Sequence, residues 1–200
     1  FQAMIPMRRP AALLALLPVL VAALLAGCGA APPPSFSADG PCDGDGRLAG
    51  TYPDLEALLP DAYEGEAPDL VDSGRTCTTA GLSTLADAGV TDLRFAGAIG
   101  HLGGGRGLPV AVFPGDAVTA DAMIEFYETG ARNARRTERL ETSDTTVGGR
   151  PARRLDVSWS QTGQTVVAWP SADGRRVNVL LASDLGDARV AAALETFGSR

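Results

Sequence analysis

From residue 137 to residue 183 the chain alternates apolar and polar side chains with a period of two, and this alternation constrains the fold more than any other feature. Leu155, Val157 and Trp159 fall on one side of an extended segment, with Arg154, Asp156 and Ser158 on the other. Successive side chains of a strand point to opposite faces, so such a segment buries one face and wets the other. Val177, Val179 and Leu181 repeat the pattern, and residues 166–169 before them are evenly apolar. Gly148-Gly149 and Asp173-Gly174 are two-residue hairpin signals, because glycine reaches the positive φ that tight turns between twisted strands require; Gln161-Thr162-Gly163 is a slightly longer one. The spacing predicts an antiparallel meander of about four strands.

The preceding half of the chain carries helical signals. Thr51-Tyr52-Pro53-Asp54 reads as a helix start, with Leu55, Leu58 and Leu59 on one face and Pro60 as the stop. Leu82, Leu85 and Ala86 suggest a second short helix that ends at Gly89. Leu93, Phe95, Gly97 and Ile99 alternate with neighbours at strand spacing, and residues 109–113 form another strand. Thr119 caps a longer helix in which Met123, Phe126, Tyr127, Gly130, Ala131 and Ala134 recur at intervals of three, four and seven. Arg132, Arg135 and Arg136 complement the negative end of its dipole. A last helix over about 187–197 presents Val190, Ala193, Leu194 and Phe197 to the sheet. The expected fold class is α+β, an antiparallel sheet (meander) with helices packed on it in a single domain. In element order alone this resembles the PsbP-like domains of lumenal photosystem proteins and some bacterial lipoproteins. The resemblance implies the layered fold and assigns no functional residue.

Residues 1–28 have a different grammar. Met7-Arg8-Arg9 is a cationic opening, and residues 11–26 are an uncharged apolar stretch of 16 residues interrupted by Pro18. That is short for a span of hydrocarbon, which takes about 20 residues, and fits a secretory signal. Leu25-Ala26-Gly27-Cys28 resembles the lipobox of bacterial lipoproteins. The resemblance implies that Cys28 is lipidated through its sulfur and becomes the mature N-terminus, starting from a translation start at Met7 or Met4. Two or three acyl chains hold a protein to a membrane stably, since each buried methylene contributes about 0.8 kcal/mol. The expected organisation is a lipoprotein signal peptide over 1–27, a lipidated Cys and flexible Pro- and Gly-rich tether over 28–50, and the α+β domain over 51–200. The expected location is the extracytoplasmic face of a cell membrane.

Charge excludes one class of partner. The net charge is −7, and after Arg8 and Arg9 there are 15 arginines against 24 acids. Nucleic acid, whose phosphates need a basic footprint, is not an expected partner. With Cys28 lipidated, Cys42 and Cys77 remain, and in an oxidising compartment they are expected to pair. Asp43-Gly44-Asp45-Gly46 fails the calcium-loop pattern, since Arg47 and Leu48 stand where an acid and a glycine belong, and reads as a solvated linker.

Catalytic templates fare poorly. His101 is the single histidine and lies in the glycine-rich run 100–107, read as an exposed, mobile hairpin tip without the helix N-terminus a phosphate cradle needs. Histidine and cysteine are too few for zinc, and no metal or cofactor is expected. Asp61, Glu64, Glu66, Asp69 and Asp72 read as a solvated acidic loop. Arg132, Arg135, Arg136, Arg153 and Arg154 make a candidate patch for an acidic partner, against the plainer reading of a dipole-matched helix end and an exposed sheet face. Trp159, Trp169 and Tyr127 are candidate lining residues of a ligand groove, although aromatics at these spacings usually belong to a core. The leading expectation is a lipid-anchored extracytoplasmic binding or interaction domain, non-catalytic, taking an envelope protein or a small molecule. The alternatives are an envelope hydrolase using paired carboxylates and a structural or assembly lipoprotein.

Overall fold

A computed structural model describes residues 36–103, 106–135 and 137–198. Cys28, its leader and Arg136 lie outside the described residues. From residue 36 onward the chain forms one compact unit built on a single eight-stranded antiparallel sheet. In chain order the elements are β1 (Gly46–Leu48), α1 (Pro53–Glu56), β2 (Leu70–Thr76), α2 (Thr79–Leu82), α3 (Thr84–Asp87), β3 (Leu93–Gly103), β4 (Arg106–Pro114), α4 (Ala120–Asn133), β5 (Arg139–Val147), β6 (Arg150–Trp159), β7 (Thr162–Pro170), β8 (Arg176–Ser183) and α5 (Asp187–Phe197). The spatial order is β1-β2-β3-β4-β8-β7-β6-β5. Two four-stranded meanders are thus joined along β4 and β8, with Val110 opposite Leu180 and Phe113 opposite Val177. Helix α4 makes the join possible by carrying the chain from β4 to the far edge, where β5 begins the return.

Helices cover both faces. On one, α2, α3 and α4 pack Leu82, Leu85 and Met123 against Leu93, Leu155 and Val179. On the other, Val190, Ala193 and Phe197 of α5 cover Val167, Trp169 and Leu180, while Tyr52, Leu55 and Leu59 at α1 cover Ala96, Ala98 and Val112. The alternation read at 155–159 and 177–181 is reproduced, with its apolar side toward α4.

The sheet is two strands larger than the periodicity indicated. The acidic run is expected to be a solvated loop through Asp72, yet Asp72 lies on β2, an interior strand with Asp72, Ser73 and Arg75 buried. Buried polar groups are tolerated where they find partners, and these do. Ser73 Oγ accepts from the Tyr52 amide at 2.7 Å and donates to Glu56 at 2.8 Å. Arg75 bonds Asp92 at 2.5 and 3.1 Å and the carbonyls of Ser37 and Gly40 at 3.4 and 3.1 Å. The tether likewise ends earlier than residue 50, because β1 pairs with β2 and Tyr52 donates to the Ala38 carbonyl at 2.9 Å. At Gly74 a Cβ would stand 2.2 Å from the Gly46 carbonyl oxygen, so the close approach of β1 depends on the missing side chain. The helix expected near Leu82 is broken in two at Ser83, whose φ of 48° interrupts the helical backbone.

Candidate functional site

Helix α4 lies over β6 and β7, and α2 and α3 lie near the start of β3. Between them a strip of β3 and β4 on the same face is left half-covered. Its floor is low because Gly97 stands opposite Ala111 in the register, two of the smallest residues side by side. Phe95, Ile99 and Pro109 flank that floor, and Phe126, Tyr127 and Leu181 form the wall. The result is an apolar groove of about 260 Å³. A second recess of about 430 Å³ continues beyond Phe126 and Tyr127, past Gly130, Ala131, Trp159 and Gln164. The Phe126 and Tyr127 rings meet edge to face at 5.3 Å, and Phe95 and Phe113 lie 6.3 Å apart, distances typical of favourable aromatic pairs. Pockets of roughly 300–1,000 Å³ with apolar walls and few polar groups are what small-molecule sites usually show.

The polar residues of the groove are Tyr127, Thr76 and Arg47. Burial pushes the Tyr127 hydroxyl up to about 12, so it stays protonated at neutral pH. Among the described residues it has no hydrogen-bond partner, leaving it free to donate to or accept from a bound molecule. Arg47 stands at the rim with its Nε on Asp72 at 2.7 Å. The groove can therefore enclose an apolar body and offer it the Tyr127 phenol, beside Thr76 and the Arg47–Asp72 pair.

Of the aromatics singled out from sequence, the structure brings Tyr127 and Trp159 to this recess. Trp169 goes to the opposite face, fully buried beneath α5. Of the five arginines, Arg153 and Arg154 go to opposite faces of the sheet, and Arg136 lies outside the described residues. Arg153 pairs with Asp121 and Asp144 on the α4 side. Arg154, of opposite strand parity, bonds Asp156 at 2.7 Å and Asp187 of α5 at 2.6 Å. Arg132 pairs with Glu128 one turn away, and Arg135 is exposed just beyond the helix.

His101 is not in a free loop but on β3, paired in register with Gly107. Its amide donates to Asp69 at 2.6 Å and its Nδ1 lies 3.2 Å from the same oxygen. The expected acidic loop is similarly resolved into individual pairs: Glu64 holds Arg189 of α5 at 2.5 Å, and Asp72 holds Arg47. Cys42 and Cys77 are disulfide-bonded, 35 residues apart. Beside them, Asp45 accepts from the amides of Cys77 and Thr78 at 2.7 and 2.9 Å and from the Thr78 hydroxyl at 2.5 Å, which makes it a structural cap and not a linker residue.

Carboxyls with displaced pKa values give no sign of a general acid, which needs a raised value. Asp45, Glu64, Asp69, Asp156 and Asp173 are all displaced downward. At Asp156 burial acts to raise the value, but the bonds from Arg154 and Thr165 outweigh it. A folded-state pKa below the unfolded one contributes stability above the unfolded value and loses it as pH falls through the folded value. The melting temperature is accordingly expected to hold steady above pH of about 5 and to drop below about 4. Asp156→Asn is expected to melt lower at neutral pH and to show a shallower acid drop, both read from melts between pH 2 and 7.

No protein-family model matches the chain, and no curated protein or solved structure matches it either.

Proposed function

We propose that this protein is a lipid-anchored, extracytoplasmic binding domain that takes an apolar small molecule into the groove between α4 and the β3–β4 strip. The anchor and location rest on the leader and its lipobox-like Leu25-Ala26-Gly27-Cys28. The binding reading rests on one observation: Gly97 and Ala111 floor a half-covered apolar groove flanked by Phe95, Ile99 and Pro109 and walled by Phe126 and Tyr127. Apolar area removed from water contributes roughly 25 cal/mol per Å², which favours filling such a floor with an apolar ligand.

Trp159 lines the adjoining recess and Trp169 is sealed on the other face, so quenching confined to Trp159 reports a ligand that reaches past Phe126 and Tyr127. Titration with N-phenyl-1-naphthylamine, a neutral apolar fluorophore, is expected to quench tryptophan emission and brighten the dye saturably. Trp159→Phe is expected to abolish most of the quenching and leave the dye signal. A dye that stays dark at every concentration would count against the groove as a binding site, and quenching that persists in Trp159→Phe would show that the dye does not reach the adjoining recess.

A further inference from the structure

We propose that β5 is a self-pairing edge, through which two copies of this chain join their sheets in antiparallel register about Ser143. The inference stands apart from the groove, which lies toward the middle of the sheet.

Strand β5 ends the sheet. Over Arg139–Val147 it pairs with β6 through nine successive positions without a register shift, and among the described residues no strand pairs with its outer side. Most of its side chains are exposed. The opposite edge, β1, is only three residues long. An open edge is a template for another strand, and natural proteins guard such edges with brevity, proline, charged side chains (lysine above all), bulges or a covering helix or loop.

β5 lacks most of these guards, its charges being the exception. It contains neither proline nor lysine, and its register carries no bulge. Its three charges are already engaged inside the chain: Arg139 pairs with Glu141 at 2.5 Å, and Asp144 pairs with Arg153. Thr142, Ser143, Thr145 and Thr146 fill most of the rest, and hydroxyl-bearing, β-branched side chains favour cross-strand pairs.

The partner it fits is itself. Only one antiparallel register pairs all nine residues with a second copy, and it places Ser143 opposite Ser143. Thr142 then faces Asp144, Glu141 faces Thr145, Leu140 faces Thr146 and Arg139 faces Val147. No like charges stand directly opposite. An edge of nine residues extends about 30 Å and covers less than the roughly 1,200–2,000 Å² of a stable interface, so the dimer is reversible and concentration-dependent. Anchoring both copies to one surface would raise their effective concentration.

The test is light scattering after size exclusion on the full chain in a mild detergent, from about 1 μM to about 1 mM. The protein mass is expected to climb with concentration toward twice the monomer value. Ser143→Arg and Ser143→Asp, both at an exposed position, are each expected to stay monomeric, because each sets two like charges face to face. An equimolar mixture of the two is expected to recover the wild-type curve, a result that misfolding of either variant cannot produce. A wild-type mass that never leaves the monomer value overturns the proposal. So does a Ser143→Arg curve that matches wild type, or a mixture that stays monomeric. Capture of a different protein along β5 by a wild type that does not self-associate would also overturn it.

Discussion

Cys42→Ser/Cys77→Ser is expected to lower the stability of the domain by about 3 to 4 kcal/mol, the loop-closure value for a bridge spanning 35 residues. For a domain of this size that corresponds to a fall of roughly 10 °C in melting temperature. The effect is expected to be large because little else holds the first residues of the fold. β1 contributes only three register pairs. The other ties include the Arg47–Asp72 ion pair, the Asp45 cap on Cys77 and Thr78, the Tyr52 bond to Ala38 and the Arg75 bonds to Ser37 and Gly40. Once that segment opens, the buried Arg75 guanidinium loses two carbonyl acceptors and Gly74 loses the strand that lies against it. Unsatisfied buried donors are costly, so the bridge protects a polar interior as well as shortening a loop. A melting temperature within about 2 °C of wild type in the double variant, or in wild type under reducing conditions, would contradict this account.

Gly97→Phe is the second large effect expected, this time on binding with little on stability. Gly97 lies on the groove floor at an ordinary strand conformation. A Cβ there would meet the Val110 carbonyl oxygen at 3.7 Å and Asp72 Oδ1 at 4.0 Å, ordinary contact distances. The backbone therefore accepts a side chain, and a phenyl ring must project into the groove between Phe95, Ala111 and Tyr127. Ligand uptake is expected to fall by at least tenfold, a loss of about 1.4 kcal/mol or more. The melting temperature is expected to stay level or rise, because the ring covers apolar surface that is otherwise wet. Unchanged dye binding in Gly97→Phe would show that the ligand sits elsewhere.

Part of the second meander was legible in the sequence because β6 buries Leu155 and Val157 while Arg154 and Asp156 stay partly wet. Leu155, Val157 and Trp159 announced their common side, and the glycine pairs announced the turns. Helices α4 and α5 were legible for the matching reason, a 3.6-residue period over an adequate length. Strand β2 was hidden because its interior residues are Asp72, Ser73 and Arg75, which are buried by virtue of partners that lie far off in sequence. Strand β1 was hidden by its length. The face taken by Trp169 was unreadable for another reason: β7 is apolar on both sides, so parity carries no signal there.

The groove was half legible. Tyr127 stood out as an aromatic, and Trp159 beside it in the adjoining recess, but the groove floor is made by what is missing at Gly97 and Ala111. Its openness follows from topology, since α4 crosses to the far edge and covers β6 and β7 in preference to β3 and β4. No local pattern encodes that crossing. The arginine cluster illustrates the converse. Arg153 and Arg154 are adjacent in sequence, yet strand parity sends one toward α4 and the other toward α5, each to its own carboxylates.

The central claim is that an anchored domain holds an apolar molecule in this groove. Its most direct test is native mass spectrometry of the full-length protein released from its own membrane in mild detergent, with Gly97→Phe alongside. The account predicts a wild-type polypeptide mass of residues 28–200 plus acyl groups, with a small apolar molecule that is retained under gentle conditions and stripped by organic solvent. It predicts the same covalent mass and no retained molecule for Gly97→Phe. A wild-type protein that carries no ligand, or a ligand held equally by both proteins, would contradict the groove; a polypeptide that keeps residues 1–27 or lacks acyl groups would contradict the anchor.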